Sequence, residues 1–244
     1  MGVRTTLKQM NMKVLFTALI AACTVNAVSA QRTQSIAAFN ELNLKGSANV
    51  TIQYGTKNEA VITGESENQK IVFEQKGNKL SIGTDYVKTK SWSYDAIKVV
   101  LYTTELNNIA LSGSGNVVAE GAFTNSGTVN ISISGSGNVT TSVGNSQDLN
   151  ILMSGSGNVT IKTNGDATSC SNLNLMLSGS GNIDAVNVIA SEANVKISGS
   201  GNASVHATKT INAIVSGSGN VRYKGSPANI NEKSSHKNAL RKID

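Results

Sequence analysis

The chain has 244 residues with one proline, two cysteines, two histidines and 4% aromatic residues, and carries 21 basic against 15 acidic side chains. Arg4, Lys8 and Lys13 lie in an N-terminal leader; without them the balance is 18 to 15, too even to point to a nucleic-acid partner. Abundant Gly, Ser, Thr, Asn, Val and Ile with a single proline predict an all-β chain with little helix, long enough for one large or two small domains.

Residues 1–30 read as a signal peptide. A basic region ending at Lys13 precedes the apolar run Val14 to Val28, and Val28-Ser29-Ala30 supplies the small residues a leader peptidase needs before Gln31. Ile20-Ala21-Ala22-Cys23 also fits a lipoprotein signal, in which Cys23 would carry a lipid anchor. The apolar run is short and interrupted by Thr24 and Asn26, so no transmembrane span is expected in the mature chain.

Residues 31–110 alternate apolar and polar side chains in short runs, among them Leu42-Asn43-Leu44, Val50 to Tyr54, Ala60 to Thr63, Lys79 to Ile82 and Ile97 to Tyr102. Such runs are strands, separated by turns at Gly55, Gly64, Gly77-Asn78 and Gly83. Gly46-Ser47-Ala48-Asn49 is a degenerate form of a motif that dominates the second half. It precedes the first full copy by about three repeat lengths, which suggests the same winding from the start, with a less regular first section acting as a cap.

The motif is Ser-Gly-Ser-Gly-Asn. It starts at Ser112, Ser134, Ser154, Ser178, Ser198 and Ser216, at separations of 22, 20, 24, 20 and 18 residues. A period near twenty indicates a solenoid. A period-two strand precedes each copy, as in Val129-Asn130-Ile131-Ser132-Ile133, and a second strand follows each asparagine. Glycine and asparagine suit the corner between them. Coils stacked about 4.8 Å apart would align Asn116, Asn138, Asn158, Asn182, Asn202 and Asn220 into a structural ladder of side-chain amides. The predicted organisation is a signal peptide over 1–30, one β-helical domain over 31–227 and a polar, basic tail or C-terminal cap over 228–244. For the tail, a frayed end and a short helix from Lys237 to Lys242 are both open.

Phe39-Asn40-Glu41-Leu42 with the following Gly-Ser-Ala-Asn-Val, the stretch Val61 to Asn68, the serial corners and Val221 to Pro227 resemble the family called putative auto-transporter adhesin, head GIN domain. The resemblance spans nearly all the mature chain. It implies a right-handed parallel β-helix exported by a Gram-negative bacterium, an adhesin-like role, and no catalytic residues or cofactor. The chain departs from the pattern after Pro227.

The residues themselves offer little chemistry. Gly113-Ser114-Gly115 and its copies lack the third glycine and the helix of a phosphate loop. The turns hold asparagine rather than the carboxylates of calcium-binding repeats. Once the leader is removed Cys170 is the one cysteine left, and only His206 and His236 could partner it. Catalysis on carbohydrate would need paired carboxylates, for which Asp166 and Asp184 are the nearest candidates. A binding role has a better candidate in Tyr86 to Asp95, where Tyr86, Trp92 and Tyr94 could stack on sugar rings or a partner's apolar patch. The expectation is a non-enzymatic envelope protein, in the periplasm, outer membrane or cell surface, binding a glycan or a surface protein. A scaffold without a ligand and a carbohydrate-active enzyme are the alternatives, and a homo-oligomer is open.

Overall fold

The computed structural model describes residues 31–66, 69–86, 97–123, 125, 127–163 and 167–243. Among these every regular element is a strand. The first seven are β1 (Arg32–Ser35), β2 (Glu41–Gly46), β3 (Asn49–Tyr54), β4 (Glu59–Thr63), β5 (Gln69–Lys76), β6 (Lys79–Tyr86) and β7 (Lys98–Thr103). The repeat region holds β8 (Asn108–Gly113), β9 (Asn116–Glu120), β10 (Thr128–Gly135), β11 (Asn138–Ser142), β12 (Ser146–Gly155) and β13 (Asn158–Lys162). It continues as β14 (Thr168–Gly179), β15 (Asn182–Gly199), β16 (Asn202–Gly217), β17 (Asn220–Lys224), β18 (Asn229–Ser234) and β19 (Leu240–Lys242).

The fold is a parallel β-solenoid. Strands before the corner stack in one parallel ladder, β8, β10, β12, β14, then the later parts of β15 and β16, and β18. Strands after it form a second, β9, β11, β13, the first residues of β15 and β16, β17 and β19. A third stretch stacks where Thr168–Cys170 meet Val188–Ala190 and Ile189–Ala190 meet His206–Ala207. Register is kept from coil to coil, so like residues fall on like: Ile109, Ile131, Ile151, Leu175, Val195 and Ala213 form one buried column, and Val117, Val139, Val159, Ile183, Ala203 and Val221 another. Each such aliphatic side chain contributes about 1.5–3 kcal/mol by leaving water.

The two glycines of a corner act differently. The first lies in a region L side chains avoid, with φ from 120° at Gly217 to 141° at Gly155. The second is needed for close approach: a Cβ on Gly157 would sit 1.9 Å from the carbonyl oxygen of Gly137 in the coil below. That proximity lets the corner amides reach down, as Ser136 N and Gly137 N both donate to Gly113 O at 3.0 Å.

The degenerate corner does not lie three windings before the first full copy. β2 and β3 stack directly on β8 and β9, with Gly46 opposite Gly113 and Asn49 opposite Asn116, residues 67 positions apart in sequence. On its other side the β2–β3 coil carries β6 and β7, again parallel. The chain therefore winds its second coil first, runs out through β4 and β5, returns beneath as the first coil, and steps over to β8. Antiparallel pairing of β5 with β6, and of β4 with β1 and β7, covers the N-terminal edge. Arg32 fastens β1 there, donating to both carboxylate oxygens of Glu65 at 2.8 Å and to Ile71 O at 2.9 Å.

After Pro227 the winding goes on. β18 pairs in parallel with β16 and β19 with β17, so Lys237 to Lys242 do not form a helix. Ser235 occupies the corner; its Oγ donates to Gly217 O at 2.7 Å. Glu232 and Ser234 fall in register with buried Ala213 and Val215, which ends the aliphatic columns in polar groups.

Candidate functional site

Two rows of asparagine run the length of the solenoid. In the first, Asn116 Nδ2 donates to Asn49 Oδ1 at 2.7 Å, Asn138 to Asn116 and Asn158 to Asn138 at 2.8 Å, Asn182 to Asn158 and Asn202 to Asn182 at 3.0 Å, and Asn220 to Asn202 at 3.2 Å. The second row was not anticipated from the sequence. Asn130 donates to Asn108, Asn150 to Asn130, Asn174 to Asn150, Asn194 to Asn174, Asn212 to Asn194 and Asn231 to Asn212, all between 2.7 and 3.1 Å. Its signal was present: asparagine is the second residue of each strand run before a corner, and alternation alone reads it only as an outward polar side chain. Each member uses one amide donor and one acceptor along the axis, so both rows stiffen the rod.

Beside the second row the outward column of the same sheet is partly apolar. Leu152 and Met176 are each 50% exposed and Ile214 43%, with Lys196 in register between Met176 and Ile214. Met176, Lys196 and Ile214, together with Asn174, Asn194 and Asn212, line a shallow depression of about 280 Å³.

A larger groove, about 580 Å³, runs along the axis beside the third stretch. Successive coils supply Asn125; then Asn145, Ser146 and Gln147; then Ser169, Cys170 and Ser171; then Ile189 and Ser191; then Thr208. None of these side chains is a carboxylate, ammonium or guanidinium. Local hydrogen bonds order the wall: Asn145 Oδ1 accepts from Ser169 N at 2.9 Å and from Ser169 Oγ at 3.2 Å, and Thr208 Oγ1 donates to Ala190 O at 3.0 Å.

Among the described residues the candidate catalytic groups are not brought together. Cys170 is buried, and its thiol is pushed up to about 11, first by burial and then by the charge of Asp148. A thiol so disposed is a poor nucleophile. His206 lies two coils above it, next to Ala207, and is held below its usual pKa by burial and by Lys224. His236 faces Gly217 O in the last coil at 3.1 Å. Asp184 accepts from Val186 N at 3.3 Å and stacks between Thr160 and Ser204, so no second carboxylate adjoins it in the ladder. Asp166 lies outside the described residues. Among the described residues no cluster of His, Cys, Asp and Glu could hold a metal ion, and no helix is long and apolar enough to cross a membrane. Of the aromatic candidates, Tyr86 ends β6 with its backbone paired to Gln69; Trp92 and Tyr94 lie outside the described residues, as do Cys23 and the rest of 1–30.

The same architecture occurs in solved structures. A "putative adhesin" from Bacteroides fragilis superimposes with a TM-score of 0.70 at 23% identity, covering 88% of this chain and 96% of that one. One from Parabacteroides merdae gives 0.69 at 22% identity over 90% and 98%. A "putative lipid binding protein" from Parabacteroides distasonis gives 0.60 at 27% identity, again over 90% and 98%. No curated protein matches the chain significantly. The chain belongs to the family described as "Putative auto-transporter adhesin, head GIN domain", whose model matches residues 38–227.

Proposed function

We propose that this chain is an exported cell-envelope protein that binds an uncharged stretch of glycan along the groove from Asn125 to Thr208 and does not turn it over. The observation that carries the reading is the groove's chemistry. Five successive coils place hydroxyl and amide groups along one line, with no ionised side chain in the wall. Hydroxyls and amides both donate and accept, which is what a row of sugar hydroxyls demands. An acidic or basic ligand would find no counter-charge there. Stacked coils with two asparagine rows hold the groups at fixed spacing, so little ordering entropy opposes binding of an extended chain. The family's adhesin description agrees with a binding role. Absence of turnover rests on the separation of Cys170, His206 and Asp184 described above.

A second contact surface is proposed at Tyr86, Trp92 and Tyr94. β6 ends at Tyr86 and β7 begins at Lys98, both in the first coil, whereas the groove begins three coils further along. The two surfaces are therefore separable by mutation. Glycan-array binding of the wild type, of Ser171→Tyr with Ser191→Tyr, and of Trp92→Ala distinguishes them. Loss only in the tyrosine variant supports the groove, and loss only in Trp92→Ala moves the site to the Tyr86, Trp92 and Tyr94 stretch. Failure of the wild type to bind any glycan sinks the reading and favours a scaffold without a ligand; released product after prolonged incubation with a bound glycan would restore an enzyme. Export, and acylation at Cys23 against cleavage after Ala30, are tested by protease access on intact cells and mass spectrometry of the mature N-terminus.

A further inference from the structure

We infer that the C-terminal end of the solenoid is a docking face for an anionic lipid bilayer. From Ser216 to Asp244 the basic side chains are Arg222, Lys224, Lys233, Lys237, Arg241 and Lys242, and the acidic ones are Glu232 and Asp244. All six basic residues are exposed or half-exposed. Glu232 is engaged within the end coil, its Oε1 accepting from Ser234 Oγ at 2.8 Å and from Leu240 N at 3.3 Å.

Register collects these charges at the end of the rod. Arg241 lies over Arg222 and Lys242 over Tyr223 in the last coil of one ladder, and Lys233 lies over Ile214 in the other. The excess is local. The described residues up to Asn107, which build the other end, hold seven basic and six acidic side chains. That end offers no opposite charge, so head-to-tail stacking of copies has no electrostatic support. The partner that fits is anionic and external to the chain.

Two features favour a bilayer over a soluble polyanion. Lys233 and Lys237 rim an open depression of about 650 Å³ in the last coil, and Arg222, Lys224, Arg241 and Lys242 lie outside it, so the charges spread over the end of the rod rather than converging in one groove. Ile230 is 51% exposed within the same end coil and in register with buried Ile211, so it presents an apolar side chain among the cations. A lipid surface satisfies both, with phosphates for the basic groups and the acyl boundary for Ile230. Docking of this kind is weakened by salt, because exposed charges are screened beyond about 8 Å at physiological ionic strength.

The test is co-sedimentation of the protein from Gln31 onward, which holds every described strand, with vesicles of phosphatidylglycerol and phosphatidylcholine or of phosphatidylcholine alone. Binding is expected only to the anionic vesicles, decreasing as salt is raised. Charge reversal at Lys233, Lys237, Arg241 and Lys242 lowers partitioning about tenfold or more, and Ile230→Asn weakens it with the charges intact. Reversal of Lys45, Lys57 and Lys79 near the other end leaves it unchanged. An unaltered thermal midpoint shows that each variant is folded. Equal binding to neutral vesicles, retention after reversal of the C-terminal charges, or capture of a soluble sulfated polysaccharide with no vesicle binding overturns the assignment.

Discussion

Replacing Gly157 by alanine tests the packing of the solenoid at its tightest point. The new Cβ would lie 1.9 Å from Gly137 O, against the roughly 3.0 Å below which such contacts are essentially never found, so the two coils must part by about 1.1 Å. Parting at the corner stretches Asn158 Nδ2 to Asn138 Oδ1, now 2.8 Å, and Ser156 N to Gly135 O, now 3.0 Å, beyond hydrogen-bonding distance. Overpacking costs about 1–3 kcal/mol and each hydrogen bond lost about 1 kcal/mol. A total of about 3–5 kcal/mol lowers the melting midpoint of a chain this size by about 6–20 °C. Gly155→Ala costs more, because φ of 141° adds backbone strain to a Cβ 2.0 Å from Gly135 O. Gly83→Ala is the control: nothing lies within 4 Å of its Cβ, and the midpoint holds or rises slightly. Calorimetry on the three variants reads the order. If Gly157→Ala melts within a degree or so of Gly83→Ala, the close approach of the corners is refuted.

Asn158→Ala interrupts the first amide row in its middle, leaving Asn182 Nδ2 without its acceptor and Asn138 Oδ1 with only the backbone N–H of residue 158; because this row is solvent-accessible, the loss is about 1 kcal/mol, read from the urea midpoint. Cys170, whose thiol is displaced upward by burial and Asp148, resists alkylation near pH 8 in the folded protein and reacts once the chain is denatured. Because its folded pKa of about 11 lies above the unfolded value, the neutral thiol favours the fold at lower pH and that contribution is lost between about pH 9 and 11. Cys170→Ala is expected to flatten the pH dependence of stability over that interval. Glu65 is held below its ordinary value, first by the hydrogen bond from Arg32, so its contribution is present above about pH 4.5 and fades as pH falls through the lowered value. Glu65→Gln should remove that acid dependence at a cost of no more than about 1 kcal/mol, since Arg32 is 39% exposed, and proteolysis should report earlier release of β1.

The sequence by itself determined the repeating part of this protein. Period-two runs such as Val129 to Ile133, a glycine pair and an asparagine at near-constant spacing leave few solutions other than identical strands stacked in register, because each coil buries its apolar face only against its neighbours. The parts that broke the pattern were decided by tertiary contacts. Whether Gly46 to Asn49 begins one coil or the first of several depends on which strand lies beside it, and pairing 67 residues apart has no local signature. The last described coil was hidden for a similar reason: Ser235 continues the serine column above Ser216 but is followed by His236 instead of glycine, and Glu232 and Ser234 stand where the pattern demands aliphatics. The proposed binding groove is built from residues outside the repeating motif, most of them on β12, β14, β15 and β16, at positions that obey no period. Asn125, Gln147, Ser171 and Thr208 become neighbours only because loops of different length begin and end on the same ladders, and the basic end emerges only when register brings Arg241 over Arg222 and Lys242 over Tyr223.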